Sequence, residues 1–352
     1  MRSALRLCFF ILVSTSVCAA ENLSFSRNAR TFETVQSSLV TKGLAHSCLS
    51  IFLIPDGLLC NPAMTPKHQK GSLSAQVLVS NGYNNLSRIQ KLMDGELSEA
   101  EVNELFAKEN TLQIEAQAGI HFASKYLSGR YAPLSYRAFS IVRNEANPDI
   151  ELYSIKEEDY TFQSGYELFE NFYVGAQLRM VKREFIRKRF LLVELGTEAG
   201  KDLLKPKKQS AIYVEPSFLW EIEKNWKYRF AGMVANAGNV SGDKEDLKTP
   251  AELQLSMGIS PPLPYGTLEF SLDYRSLNYE EVEAKERIGL GALYGFGAMY
   301  LMGGVDSNGI SGGTFYRVEA VNAGVLYSST KMLGEEKDYY TQTVYVQLGW
   351  QI

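Results

Sequence analysis

The last fourteen residues of the chain, Tyr339–Ile352, read YYTQTVYVQLGWQI and alternate between two kinds of side chain. The apolar phase holds Val344, Val346, Leu348, Trp350 and Ile352, and the polar phase holds Thr341, Thr343, Tyr345, Gln347, Gly349 and Gln351. Because successive side chains of a strand point to opposite faces, this stretch predicts a strand with one apolar and one polar face. Such a strand either covers the core of a soluble sheet or separates lipid from an aqueous lumen.

The same alternation recurs upstream, and it favours the membrane alternative. Charged residues fall repeatedly in the polar phase, namely Glu115, Arg179, Glu215, Glu221, Glu269, Asp273 and Arg275. Many of the strands reach ten residues or more, the length that a tilted strand needs to cross the hydrocarbon layer, whereas sandwich strands are shorter. The sequence therefore predicts an all-β fold over residues 72–352, a transmembrane antiparallel β-barrel of about fourteen strands.

Four stretches depart from the alternation. Residues 86–108 carry apolar side chains three and four apart, which predicts a short helical insertion. Lys182–Gln209 is basic and predicts a strand end followed by a long solvated loop, with a binding patch for anionic lipid headgroups as the alternative. Val305–Gly313 predicts a turn-rich loop. Pro216 interrupts a strand, so we expect a bulge or locally open pairing there, because proline cannot donate to the ladder.

The N-terminal residues 1–20, MRSALRLCFFILVSTSVCAA, have the organisation of a signal peptide. Arg2 and Arg6 precede a short apolar run, and small residues follow it before a cleavage site. Two cysteines, Cys48 and Cys60, remain after cleavage, and an even number in an exported protein favours a disulfide. A metal or redox pair is the alternative, but the chain offers only three histidines as further ligands, so we predict no metal site.

Asp56 and the following Asn61-Pro62-Ala63 resemble the N-terminal signature of the FadL-like barrels, a group that includes the PorV-type and TraF-like outer-membrane proteins. Pro250–Leu253 and the glycine-rich residues 303–328 are similar to the repeated layout of the PorV- and TraF-like members. The resemblance implies that residues 21–71 form a plug-like segment inside or beneath the barrel. It also implies a ligand that passes when the plug moves, with Asp56, Asn61, Pro62 and Ala63 as plug and ligand candidates.

These observations leave three functions open. The first is binding or passage of hydrophobic small molecules across the outer membrane of a Gram-negative bacterium. The second is a non-transporting partner or scaffold in a secretion or conjugation apparatus. The third is an outer-membrane hydrolase, for which His121 is the one well-placed base; it lies in the lumen phase, and no G-x-S-x-G motif is present, so we predict no catalytic residues.

The partners expected from composition and resemblance are limited. A formal net charge of −4 argues against nucleic acid as a partner. We expect outer-membrane lipid around the barrel and a hydrophobic small molecule or components of a secretion or conjugation apparatus as further partners. No cofactor is expected.

Overall fold

The computed structural model describes residues 38–54, 60–67, 71–82, 111–143, 149–191, 204–242, 251–279, 282–332 and 339–351, with a few single residues between them. The predicted signal peptide, Asp56 and nearly all of the predicted insertion 86–108 lie outside the described residues.

A long series of strands accounts for most of the described chain, with three short helical turns. A helix, α1, spans Leu39–Gly43, and 3₁₀ turns span Pro62–Lys67 and Ala284–Glu286. The strands are β1 Ser72–Ser80, β2 Thr111–Ala123, β3 Leu127–Arg143, β4 Asp149–Phe169, β5 Phe172–Leu191, β6 Lys207–Glu223, β7 Lys227–Ala235, β8 Gly238–Gly242, β9 Glu252–Ser260, β10 Thr267–Tyr274, β11 Ile288–Phe296, β12 Met299–Asp306, β13 Gly309–Val318, β14 Val321–Met332 and β15 Tyr339–Gln351.

The strands form one closed antiparallel barrel. Each pairs with its neighbours, and β15 closes the ring by pairing with β1, with Val77 opposite Leu348. The short β8 continues the line of β7 along β6 after a break at Asn236 and Ala237. Counting β7 and β8 as one line gives a ring of fourteen strands, so the predicted barrel and its strand number are confirmed.

Burial along the strands is reversed relative to a soluble protein. On β15 the polar phase is buried and the apolar phase is exposed: Gln347 is fully buried, whereas Trp350 is 56% exposed. The other strands repeat this arrangement over most of their length, with apolar side chains outward and Glu, Gln, Arg and Ser inward; the loop ends of β3, β4 and β5 depart from it, since apolar side chains such as Phe139, Ile150 and Phe185 are buried there. An apolar outer face around a polar lumen is the arrangement of a barrel that crosses a membrane. Within the described ranges, no helix is long and apolar enough to span one.

A charge on the lipid-facing phase of the closing strand should be costly. Val346 lies near the middle of the outward face of β15. We expect Val346→Lys to lower the free energy of unfolding by about 2–4 kcal/mol, because an ammonium near the bilayer midplane loses its hydration. Urea unfolding in lipid vesicles measures this. Gln342→Lys, on the same exposed phase near the loop end, is the matched control, and an equal loss in both variants would contradict the assigned lipid face.

One loop prediction is wrong, and two strand predictions are confirmed. β5 continues to Leu191 and β6 begins at Lys207, so the predicted strand end within Lys182–Gln209 is confirmed, and most of the loop predicted after it lies outside the described residues. Val305–Gly313 is a tight hairpin rather than a loop, because only Ser307 and Asn308 separate β12 from β13. Pro216 lies opposite the β7–β8 break, in the predicted locally open pairing.

Candidate functional site

The candidate site is the segment that runs inside the barrel, residues 38–54 and 60–67, which we call the inner segment. Ser38 precedes its helix α1 as the N-cap residue, and the Ser38 hydroxyl accepts a hydrogen bond from the Thr41 amide. The Leu39 amide, another unpaired donor of this first turn, donates at 3.0 Å to the inward-facing Gln347 side chain of β15. The wall of the barrel therefore completes the cap of the helix.

Two basic side chains of the inner segment lie within the lumen. The Lys42 Nζ lies 2.8 Å from a carboxylate oxygen of Glu115 on β2 and 5.0 Å from the centre of the Tyr345 ring. Burial lowers the pKa of Lys42, and the Glu115 carboxylate opposes that shift. Burial, together with the positive charges of Lys42 and Arg275, lowers the pKa of His46 well below its ordinary value. His46 is therefore neutral at neutral pH.

Strand β10 and Arg275, the residue that follows it, present four successive inward side chains that contact the inner segment. Asp273 accepts a hydrogen bond from the Leu49 amide, and Glu269 accepts from the Phe52 and Leu53 amides at 2.9 and 2.7 Å. Between them, the hydroxyls of Ser271 and Ser50 lie 2.7 Å apart. Arg275 donates to the Ala45 carbonyl and to the Ser47 hydroxyl, both at 2.8 Å. These contacts satisfy backbone groups that have no strand partner.

Arg229 joins this wall to the opposite end of the inner segment. Its guanidinium donates to Glu221 at 2.6 Å and to Glu269 at 2.5 Å, and all three side chains are buried. Glu221 also accepts from Lys67, the last residue of the 3₁₀ turn. One buried arginine therefore holds two carboxylates that each contact the inner segment.

The Asn61-Pro62-Ala63 turn is fastened to β5 and β6. The Asn61 amide group donates to the Phe218 carbonyl at 3.1 Å, and its oxygen accepts from the Ala63 amide at 2.9 Å. The Ala63 amide also donates to the Ser217 hydroxyl at 3.1 Å. A Cβ at Gly175 of β5 would collide with the Pro62–Ala63 backbone, so the turn can approach the wall only because glycine stands there.

The predicted disulfide between Cys48 and Cys60 is confirmed, with Cα atoms 5.8 Å apart. It joins the part of the inner segment that contacts β10 to the part that contacts β6. Closing a loop of this length limits the unfolded conformations of the segment. The two fastened regions are thus one covalently closed unit.

The inner segment also carries an apolar face that covers apolar lumen residues. Leu39, Val40, Leu44, Ile51 and Met64 are fully buried. They belong to one cluster with side chains of the barrel wall, namely Tyr173, Leu219, Leu293, Met302, Phe315, Leu326 and Tyr345. This apolar part of the lumen wall is therefore covered by the chain itself.

A second polar network lines the lumen on the long strands β3 to β6. Glu157 pairs with Arg137 at 2.8 Å and with Arg183 at 3.0 Å. Glu215 accepts from Arg179 at 3.3 Å and from the Asn236 amide at 2.7 Å, and so fixes the β7–β8 break. These ion pairs lie on the lumen side of the strands, outside the apolar cluster that the inner segment covers.

His121 faces the lumen, as its phase predicts, and is buried beside Arg130, its cross-strand partner. Within the described part of the chain, neither ring nitrogen has a hydrogen-bond partner. A catalytic base needs a nucleophile and an orienting acid within hydrogen-bond reach. The charge beside this histidine is a cation instead, which gives no support to the hydrolase alternative.

The sequence located part of this site. The structure brings Asn61, Pro62 and Ala63 together against β5 and β6, and all three are buried; Asp56 lies outside the described residues. The residues that sequence reasoning missed as contacts of the inner segment are Glu221, Arg229, Glu269, Ser271, Asp273 and Arg275. For the last four of these, the signal was a run of polar side chains in successive inward positions, which predicts a lumen wall but not what that wall contacts.

The barrel resembles solved hydrocarbon channels along most of its length. It superposes on the toluene transporter TodX of P. putida with a TM-score of 0.52 and 6% identity, covering 90% of this chain and 98% of that one. For a mutant of TodX described as a monoaromatic hydrocarbon channel, the TM-score is 0.53 and the identity 9%, covering 91% of this chain and 99% of that one. For the CymD monoaromatic hydrocarbon channel, the TM-score is 0.50 and the identity 10%, covering 90% of this chain and 97% of that one.

These likenesses confirm the FadL-like barrel at the level of the fold. At the level of sequence, no protein-family model and no curated protein matches the chain.

Proposed function

We propose that the protein is a FadL-like barrel of the Gram-negative outer membrane that binds hydrophobic small molecules and passes them across that membrane. The inner segment acts as its plug. The observation that carries the proposal is the apolar lumen wall that the inner segment covers, because this wall is apolar surface that a ligand could use in place of the segment. The fold shared with the toluene and hydrocarbon channels supports the same conclusion.

The apolar residues of the lumen bind the ligand, and the polar residues hold the plug. Phe315, Leu326 and Leu293 form a buried apolar surface that becomes available when Leu39 and Leu44 move away. An apolar ligand gains about 25 cal/mol for each Å² of apolar surface removed from water, so it can replace the leucines on this wall. The polar residues of β10 and Arg229 hold the plug when no ligand is present.

Movement of the plug can be tested by a covalent crosslink between the plug and the barrel wall. The hydroxyls of Ser50 and Ser271 lie 2.7 Å apart, so cysteines at both positions can form a disulfide between plug and wall. We expect cells that produce the native chain to take up radiolabelled toluene or a radiolabelled long-chain fatty acid several times faster than cells without it. The Ser50→Cys/Ser271→Cys protein should lose this gain and recover it after dithiothreitol treatment.

The single variant Ser271→Cys is the matched control, because it carries the same thiol on the wall without a crosslink. It should take up both compounds at the native rate before and after reduction. Uptake through the crosslinked protein at the native rate would contradict a moving plug. If the native chain gave no uptake of either compound, the passage of hydrophobic molecules would be wrong, and a non-transporting partner of a secretion or conjugation apparatus would be the better proposal.

A further inference from the structure

The outer surface of the barrel carries a charged cavity just beyond its apolar band. The cavity has a volume of about 540 Å³ and crosses strands β3 to β6 and β8. Three lysines line it, Lys156 on β4, Lys182 on β5 and Lys208 on β6, together with the carboxylates of Glu158 and Glu184. The lysines lie in the outward phase of their strands and are exposed, so the cavity opens away from the lumen.

The register places these side chains in two adjoining rows. Lys182 lies opposite Glu158, and Glu184 lies opposite both Lys156 and Lys208. Pro133 also lines the cavity and lies where the pairing of β3 with β4 is open. The pairing of β3 with β4 skips from Ala132 to Ser135, so the ladder is interrupted beside Glu158.

The carboxylates neutralise the lysines only in part. Glu158 accepts hydrogen bonds from the hydroxyls of Tyr160 at 2.7 Å and Tyr131 at 3.2 Å, while the Lys182 Nζ stays 3.8 Å away. Lys208 pairs with Glu184 at 3.1 Å, but its side chain is 76% exposed. Lys156 has no carboxylate within 4 Å among the residues that the structure describes. Exposed pairs of this kind contribute little, so these ammonium groups can turn to a stronger anion.

The position of the cavity along the barrel indicates which kind of anion it binds. The next outward side chains toward the short β4–β5 turn are Tyr160, Met180 and Ile212, and the apolar phase continues from them to Phe172. From Met180 to Phe172 the outward face of β5 is apolar over roughly 20 Å along the barrel axis, given the usual strand rise and tilt. Tyr131 and Tyr160 stack at the edge of this band, where aromatic side chains mark the membrane interface.

Chain connectivity indicates which interface this is. β4 and β5 are joined at the far end by Glu170 and Asn171 alone, whereas residues 192–206 separate β5 from β6 at the cavity end. In outer-membrane barrels the short turns face the periplasm and the long loops face outward. The cavity therefore lies at the level of the outer-leaflet headgroups.

We propose that Lys156, Lys182 and Lys208 bind the phosphorylated headgroup of a lipid in the outer leaflet. The lipid's acyl chains lie on the apolar band below, and the hydroxyls of Ser210 and Ser241 complete the lining of the headgroup site. The inference goes beyond transport and rests only on the membrane location in the proposed function. Lys182 and Lys208 belong to the basic stretch Lys182–Gln209. The proposal therefore agrees with the alternative given for that stretch, a binding patch for anionic lipid headgroups.

Native mass spectrometry of the full-length protein in detergent tests the site, with diphosphorylated lipid A as the probe. We expect a one-to-one adduct with the native protein and an affinity roughly a hundredfold lower for the Lys156→Gln/Lys182→Gln/Lys208→Gln variant, because each lysine near an anionic lipid contributes about fivefold. The matched control, Lys224→Gln/Lys227→Gln/Lys285→Gln, removes the same charge from exposed positions elsewhere and should bind like the native protein.

Three outcomes would overturn the site. These are equal binding by the two triple variants, equal binding of dephosphorylated lipid A by the native protein, and full displacement of lipid A by millimolar inorganic phosphate, which would indicate an anion site without lipid. A heat-dependent shift on gels shows that each variant is a folded barrel. The uptake of toluene or fatty acid by the crosslinked protein does not enter this measurement, so failure of the lipid site and failure of transport are distinguished.

Discussion

Replacing Arg229 by methionine should destabilise the protein by about 3–5 kcal/mol, because it leaves Glu269 and Glu221 buried with their shared cation gone. Glu221 keeps Lys67, but Glu269 keeps only the amides of Phe52 and Leu53 as partners on the inner segment. The loss should therefore be felt by the barrel and the plug together. Guanidinium unfolding in detergent, followed by tryptophan fluorescence, measures the free energy.

Two controls separate the buried network from the loss of a charge. Lys227 pairs with Glu223 on the same strands, but both side chains are about half exposed, so Lys227→Met should cost less than about 1 kcal/mol. Adding Glu221→Gln and Glu269→Gln to Arg229→Met removes the uncompensated carboxylates and should restore most of the lost stability. Equal midpoints for the Arg229→Met and Lys227→Met proteins would show that the network does not stabilise the fold.

The fold could be predicted from the sequence because it depends on a local signal. Side-chain alternation has a period of two residues, and the closing strand alone shows both faces, from Gln347 inward to Trp350 outward. Charged residues in the polar phase, such as Glu215 and Arg179, then distinguished a lumen from a soluble core. The full length of β5 escaped prediction because its charged end resembles a solvated loop, although residues up to Leu191 pair with β4.

The site was predictable only where a motif marked it. Asn61-Pro62-Ala63 stood out by resemblance, and the structure fastens that turn to the wall. The partners Glu269 and Asp273 are more than 200 residues from the backbone that they bind, and the inner segment has no period that would indicate its contacts. A carboxylate in the lumen phase can face water or a plug, and only the folded chain decides between them.

Replacing Gly175 by valine should expel the Asn61-Pro62-Ala63 turn while leaving the barrel folded. The added side chain would occupy the space of the Pro62–Ala63 backbone, and this backbone cannot shift aside without breaking the hydrogen bond from the Ala63 amide to the Ser217 hydroxyl. Valine itself is favourable in a strand, so the ladder of β5 with β4 and β6 should persist. The turn would lose its bonds to Phe218 and Ser217, and Lys67 would lose Glu221.

Limited proteolysis should therefore cleave the Gly175→Val protein within residues 60–70 at least tenfold faster than the native protein, while the heat-dependent gel shift of the barrel stays the same. Gly303→Val on β12 is the matched control, since a Cβ there meets nothing closer than a carbonyl oxygen at 4.0 Å. Under the proposed function, the Gly175→Val channel should also take up toluene without the need to displace its plug. Native cleavage rates in the Gly175→Val protein would mean that the turn does not depend on this close approach.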